Sequence, residues 1–180
     1  ERHPRVPFGM LVYANLTIAE DGVRRFYDSV AAAGADSVLV ADVPMLEAAP
    51  YLEAARTAGV APVLLVPPNA SRERIATAAR ESEGYVYVVT RDGPTGDERE
   101  AGRSGSAHLT QLRREPDCPP ALVGFGVSRP EHVRAALDSG AQGAITGSAI
   151  ARLIAEERGE GESLEEVVGR YVARMKGAAR

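Results

Sequence analysis

Cysteine occurs once in this chain, at Cys118, so no disulfide can form within it. A lone thiol suits a reducing compartment. It lies in Pro116-Asp117-Cys118-Pro119-Pro120, which reads as a surface connection, so a spare structural thiol is expected there rather than a nucleophile. No run of 18 apolar residues exists, which excludes a transmembrane helix. No signal peptide is visible at the start, and a cytoplasmic protein is expected. A basic excess is also lacking: the net charge is −4, which argues against a nucleic-acid surface. Neither membrane nor nucleic acid is therefore expected as a partner. Histidine is scarce, and His3, His108 and His132 are scattered without ligand spacing. Surface positions are expected for all three, and no metal site. No Ser-His-Asp set and no P-loop is present.

What is present suits one soluble domain, residues 1–180, with 44% apolar residues to build a core. The chain starts Glu1-Arg2-His3-Pro4-Arg5, without an initiator Met. That start reads like the tail of a helix entering a loop, as if cut inside a larger protein. Six apolar runs read as strands: Val6–Tyr13, Asp36–Val40, Ala61–Val66, Tyr85–Thr90, Ala121–Gly124 and Gly143–Thr146. The first is continuous enough to be buried on both faces. Helical spacing predicts helices over Gly22–Ala33, Met45–Ala58, Ser71–Glu81 and Ser106–Arg114. Three more follow: one opened by a Ser128/Glu131 capping box, one from Ser148 to about Glu157, and one opened by a Ser163/Glu166 box. The last carries Leu164, Val167, Val168, Tyr171 and Met175 on one side.

Gly34, Gly59 and Gly84 recur at 25-residue intervals, each after a helix and before a strand. Strands alternating with helices imply a parallel α/β sheet with right-handed crossovers. A period this short favours a regular barrel. Residues 91–105 break the pattern with Gly93, Pro94, Gly96, Gly102 and Gly105, a length and composition typical of a lid or a disordered connection.

Two turns stand out between Ala121 and Ile150. Gly124-Phe125-Gly126-Val127-Ser128 and Thr146-Gly147-Ser148 each end a strand and lead into a helix. The free amides and dipole of a helix N-terminus make an anion site. Two such ends side by side hold one phosphate, and the loops after the last two strands of (β/α)8 barrels commonly do so. Two ordinary βα turns without a ligand remain the alternative.

The strings LVYANL, DSVLVADVP, APVLLVPPNA, GYVYVVTRDGPTG, GFGVS and GAITGSAI resemble the tryptophan synthase α subunit family, and the resemblance covers nearly everything from Val6 to Ala178. The resemblance implies a (β/α)8 TIM barrel, here incomplete: six parallel strands, corresponding to strands 3 to 8 of the family fold. It implies a lyase of L-tryptophan biosynthesis. The reaction is retro-aldol cleavage of indole-3-glycerol phosphate to indole and glyceraldehyde 3-phosphate, with a pyridoxal-phosphate β subunit as partner and no cofactor in the α subunit itself. Carried over by position, the phosphate site falls on Gly96, Gly126, Gly147 and Ser148. The indole pocket falls on Leu11, Leu39, Tyr87, Phe125 and Ile145. Thr95 matches the loop-closing threonine, and Asp42 the residue that communicates with the β subunit. Leu11, Leu39, Tyr87 and Phe125 sit at or beside strand C-terminal ends, where barrel sites form. Each has the simpler reading of a core residue, and Ser148 that of an N-cap.

The family's acid and base, a Glu at the end of its second strand and an Asp in the next loop, lie before the part matched here. No equivalent pair appears in residues 1–180, so this stretch alone is expected to lack lyase activity. Asp42 and Asp92 are the acids nearest strand mouths, and Asp92 reads as a loop or hinge residue. Met45, Leu46 and Glu47, and the loop from Asp97 to Ser106, depart from the family pattern. Two other readings stand beside this one. One is a different phosphate-binding barrel enzyme, such as a pentose-phosphate epimerase. The other is a non-catalytic folding fragment whose open sheet edges, Val6–Tyr13 and Gly143–Thr146, invite self-association.

Overall fold

The computed structural model describes residues 6–18, 22–89, 106–124, 126–156 and 162–179. They fall into two compact units. The first draws on Glu1–Val66, Ala70–Tyr87 and Gln111–Pro119; the second on Pro67–Asn69, Val88–Thr110 and Pro120–Arg180.

The first unit begins with β1 (Gly9–Val12), α1 (Gly22–Ala32), β2 (Ser37–Val40), α2 (Ala49–Thr57) and β3 (Ala61–Val63). β1, β2 and β3 form a parallel sheet in that order, with Leu11 beside Leu39 and Leu39 beside Val63. Gly9 fits this register because a Cβ there would lie 2.6 Å from Ser37 Oγ. α1 and α2 bury Tyr27, Val30, Ala54 and Ala55 against Val12, Val38 and Val60. Phe26 meets Tyr27 edge to face. Gly34, Gly59 and Gly84 take φ of 81°, 73° and 81°. An L side chain is strained at such angles, so the repeated glycine is what turns each helix back toward a strand.

Two expectations for this unit are corrected. The first strand is shorter than Val6–Tyr13 and is not buried on both faces: of its four residues only Val12 is buried. Among the described residues β1 pairs with β2 alone, so one of its edges has no neighbour. The second helix does not start at Met45. A 3-10 turn at Met45–Glu47 precedes it, and Pro50 sits in the first turn of α2. A helix continued from Met45 would need an N–H at Pro50 that proline lacks.

The predicted strand Ala61–Val66 divides at Leu64 into β3 and β4 (Leu65–Val66). Leu64 is not left unpaired: its N–H donates to Ser82 Oγ at 3.0 Å. Its carbonyl accepts from Tyr87 N–H in β5 (Val86–Val89), at 3.1 Å. α3 (Arg72–Glu81) lies between, opened by Ser71, whose hydroxyl accepts the Arg74 N–H. Helix α4 covers residues 106–112. His108 lies on it and is only 8% exposed, which corrects the expected surface position. It shares its helix with Leu109 and Leu112, both buried. Desolvation lowers its pKa, and its Nδ1 has no partner among the described residues.

The second unit contains β6 (Ala121–Gly124), α5 (Pro130–Asp138), β7 (Gly143–Ala144), α6 (Ser148–Glu156) and α7 (Leu164–Gly177). β6 and β7 are parallel, with Leu122 beside Gly143 and Val123 beside Ala144. A Cβ at residue 143 would lie 2.8 Å from Leu122 Cδ2, so glycine permits this pairing. α5, α6 and α7 close over Val127, Val133, Tyr171 and Met175. The Ser163/Glu166 capping box of α7 is formed in both directions. The Ser128/Glu131 box of α5 is not: the N-cap is Arg129, without a side-chain bond. His132 Nδ1 accepts the Ser128 N–H instead, at 3.2 Å.

Candidate functional site

β6 and β7 end side by side, and their last shared backbone bond runs from Ile145 N–H to the Val123 carbonyl, 2.8 Å. Two loops leave from there. The first turns at Gly126, whose φ of 76° no L side chain adopts comfortably, and enters α5. The second passes Thr146 and enters α6 at Ser148. Gly126, Gly147 and Ser148 are all exposed. Pairing the two strands in parallel has thus brought three of the four predicted phosphate residues into one unit, at the same end of two adjacent strands. The fourth, Gly96, lies outside the described residues, as do Thr95 and Phe125.

The α6 end has the geometry of an anion seat. Ile150 and Ala151 N–H both donate to the Gly147 carbonyl, so the helix is hydrogen-bonded from its first turn. The amides of the residues before them have no acceptor within the helix, and the dipole adds partial positive charge. Gly147 differs in kind from Gly126. Its φ is not positive, and a Cβ built on it would meet nothing within 4 Å. A side chain at residue 147 would therefore meet open space, as befits an exposed position. Ser128 is a poorer donor to an anion, since its N–H is given to His132 Nδ1. The other ring nitrogen faces Arg129 Nη2 at 3.3 Å. A neutral imidazole accepts at one nitrogen only, so these two contacts cannot both be hydrogen bonds at once.

Two hydroxyls hold the loops together. Thr146 Oγ1 donates to the Val127 carbonyl at 2.8 Å, crossing from the second loop to the first. The Tyr171 hydroxyl, from α7, donates to the Ser128 carbonyl at 3.1 Å and lies 3.1 Å from Thr146 Oγ1. Two hydroxyl protons thus serve three oxygen–oxygen contacts. Every group tied down in this way is a carbonyl or a hydroxyl, so no loop amide is consumed by it. Neither residue was singled out from the sequence: Thr146 reads as the end of a strand and Tyr171 as one of an apolar row. A phenol on the inner side of a helix does carry a signal, because its hydroxyl needs a partner once the ring is buried.

The remaining predicted residues are placed as follows. Leu39 is 1% exposed and belongs to the core of the first unit, whereas its neighbour Leu11 is 54% exposed. Tyr87 is half-buried, and burial raises its hydroxyl pKa, which keeps it a neutral donor well into alkaline solution. Ile145 is half-buried and belongs to the second unit. Asp42 is exposed, and its Oδ1 accepts the Ala14 N–H at 2.7 Å. Cys118 is half-buried with its pKa raised, by burial first and then by Glu115, which disfavours a reactive thiolate. Among the described residues no group of three His, Cys, Asp or Glu is placed to hold a metal ion. No helix among them is long and apolar enough to cross a membrane.

Comparison with known proteins bears on this arrangement. The family model described as tryptophan synthase alpha chain matches residues 1–180. The chain is 41% identical over 177 residues to the tryptophan synthase alpha chain of Shewanella oneidensis, covering 98% of this chain and 63% of that one. It is 42% identical over 178 residues to that of Proteus mirabilis, covering 99% and 65%. It therefore spans less than two-thirds of the length of these relatives. A solved tryptophan synthase complex from Pyrococcus furiosus superposes with a TM-score of 0.78 at 33% identity, covering 98% of this chain and 68% of that one. A structure of the Pyrococcus furiosus α2β2 complex gives 0.81 at 35%, covering 98% and 69%.

Proposed function

The chain belongs to the tryptophan synthase alpha chain family, and from that membership we propose that it serves the α reaction of L-tryptophan biosynthesis. The reaction is the lyase cleavage of indole-3-glycerol phosphate to indole and glyceraldehyde 3-phosphate. The observation that carries the proposal is the pair of loops at Gly126 and Gly147–Ser148. The α6 N-terminus offers its first-turn amides and dipole to the phosphate, Thr146 and Tyr171 hold the Val127 and Ser128 carbonyls, and the Ser128 N–H goes to His132. Phosphate is the anchor that orients the indole-glycerol end for bond cleavage.

In this proposal Gly96, Gly126, Gly147 and Ser148 hold the phosphate. Leu11, Leu39, Tyr87, Phe125 and Ile145 line the indole side. Thr95 closes over the substrate. Asp42 stands at the β-subunit face, and pyridoxal phosphate belongs to that partner. The fold goes with it: one incomplete barrel whose six parallel strands answer to strands 3 to 8 of the family. Superposition over 98% of the chain on Pyrococcus furiosus structures supports this. A cytoplasmic location accompanies the biosynthetic role.

We propose further that residues 1–180 alone do not turn over substrate, since no acid and base pair matching the family's is found in them. Glycerol 3-phosphate is expected to bind while indole release from indole-3-glycerol phosphate stays undetectable. Turnover near that of an intact family member overturns the second half; absence of binding overturns the first.

A second reading has its own observation. Val6, Phe8, Leu11, Tyr13, Leu16 and Ile18 are all more than half exposed, around a strand that pairs on one edge alone among the described residues. An apolar edge of this kind invites pairing with another copy. Light scattering tests it: a dimer or larger species supports self-association, and a clean monomer refutes it.

A further inference from the structure

Tyr171 lies on α7, outside both loops of the candidate phosphate site, yet its hydroxyl is bonded to one loop and touches a side chain of the other. Its ring is buried with Val127, Val133 and Met175, so the phenol cannot swing away. Arg174 lies over the outer face of the same ring, 5.9 Å from its centre. A rigid ring with one hydroxyl is a good spacer: it fixes the Ser128 carbonyl and the Thr146 hydroxyl at set distances from α7. Thr146 in turn fixes the Val127 carbonyl.

A tetrahedral anion held by amides from two loops needs those amides to converge. β6–β7 pairing sets the loops' starting points, but the backbone ladder ends at Ile145, before Gly147 and Ser148. Past that point Thr146 and Tyr171 tie the two loops to each other and to α7, while His132 bonds Ser128 within its own loop and helix. We propose that Tyr171, acting with Thr146, is a positioning residue that holds the Gly126 and Gly147–Ser148 amides in convergent register for the substrate phosphate. This rests on the phosphate reading above. Neither side chain touches substrate in this account; both act by holding carbonyls aside so that amides face the anion.

The test uses Tyr171→Phe, which keeps the ring and its packing and removes only the hydroxyl, together with Thr146→Val and Thr146→Ser. Two readouts are taken on the protein: amide hydrogen exchange of the free form, and glycerol 3-phosphate affinity from backbone amide shifts. The expected result for Tyr171→Phe is exchange about tenfold faster at residues 126–128 and 146–148 only, with the core amides unchanged. Affinity for glycerol 3-phosphate falls about tenfold. Thr146→Val behaves alike, and Thr146→Ser stays within about twofold of the parent because the hydroxyl is kept. Wild-type affinity in Tyr171→Phe overturns the assignment. So does exchange that quickens uniformly, which marks the hydroxyl as a general stabiliser, or a Thr146→Ser protein no better than Thr146→Val. If the parent shows no saturable shift with glycerol 3-phosphate, the phosphate reading fails and this assignment falls with it. The exchange pattern still separates that failure from loops that were never tied.

Discussion

The β1–β2 ends of the first unit and the β6–β7 ends of the second are built from the same repeat, a parallel strand followed by a turn and a helix. They are finished in opposite ways. In the first, carboxylates take amides: Asp36 Oδ2 accepts Phe8 N–H at one end of β1, and Asp42 Oδ1 accepts Ala14 N–H beyond the other. In the second, hydroxyls take carbonyls: Thr146 binds Val127 and Tyr171 binds Ser128. The first arrangement engages amides with carboxylates; the second engages the Val127 and Ser128 carbonyls with hydroxyls, and gives the Ser128 N–H to His132. On the phosphate reading proposed above, an anion is disfavoured beside the Asp42 carboxylate and favoured at the Gly126 and Gly147–Ser148 turns. The side chains that close each mouth would then set its polarity.

The largest expected effect lies in the core of the first unit. Leu39→Ala should cost about 2–5 kcal/mol in urea unfolding, because Leu39 is fully buried. Leu11→Ala, one strand over on an exposed position, should cost less than about 1 kcal/mol. Equal losses would mean that the two leucines share one environment. At the second mouth, Ser148→Asp should weaken glycerol 3-phosphate binding at least about 100-fold by calorimetry, through like-charge repulsion. The same change should leave thermal stability equal or slightly higher, since an acid in a first helical turn favours the helix by about 0.3–1 kcal/mol. Loss of stability in that variant would show that Ser148 serves the fold first. The two glycines separate similarly. Gly126→Ala should cost about 1–2 kcal/mol for its positive φ. Gly147→Ala should cost little stability and show its effect in phosphate affinity, having open space around it.

A smaller effect contrasts the units' buried phenols. Burial, followed by the influence of Tyr51, pushes the Tyr27 hydroxyl up to about 12. Free tyrosine ionises near pH 10, so above that pH the unfolded chain loses this proton first. The stability Tyr27 confers is complete below pH 10 and is lost as the pH rises from 10 through 12. Urea midpoints at pH 9 and 11 should fall less in Tyr27→Phe than in the parent; an equal fall would place the titration elsewhere.

The sequence made the repeat legible because its glycines are physically required: Gly34, Gly59 and Gly84 all take positive φ. The Ser163/Glu166 box was legible because both partners are local, three residues apart. Ser128/Glu131 has the same spelling and fails, since His132, one residue further on, takes the Ser128 amide. The break at Leu64 was hidden as well. It depends on Ser82, 18 residues away, accepting the Leu64 N–H that a continuous strand would have paired. The Gly126 and Gly147 turns could be read from residue type and spacing. The Tyr171–Thr146 contact could not, because it joins residues 25 apart whose own patterns fit plain helix and strand.

The most direct measurement of the central claim is a backbone amide titration of the protein with glycerol 3-phosphate. Saturable shifts centred on Gly126, Gly147 and Ser148, with Ala14 unmoved, are the predicted result. Shifts centred on Ala14 and the Asp42 turn, or none that saturate, would contradict the account.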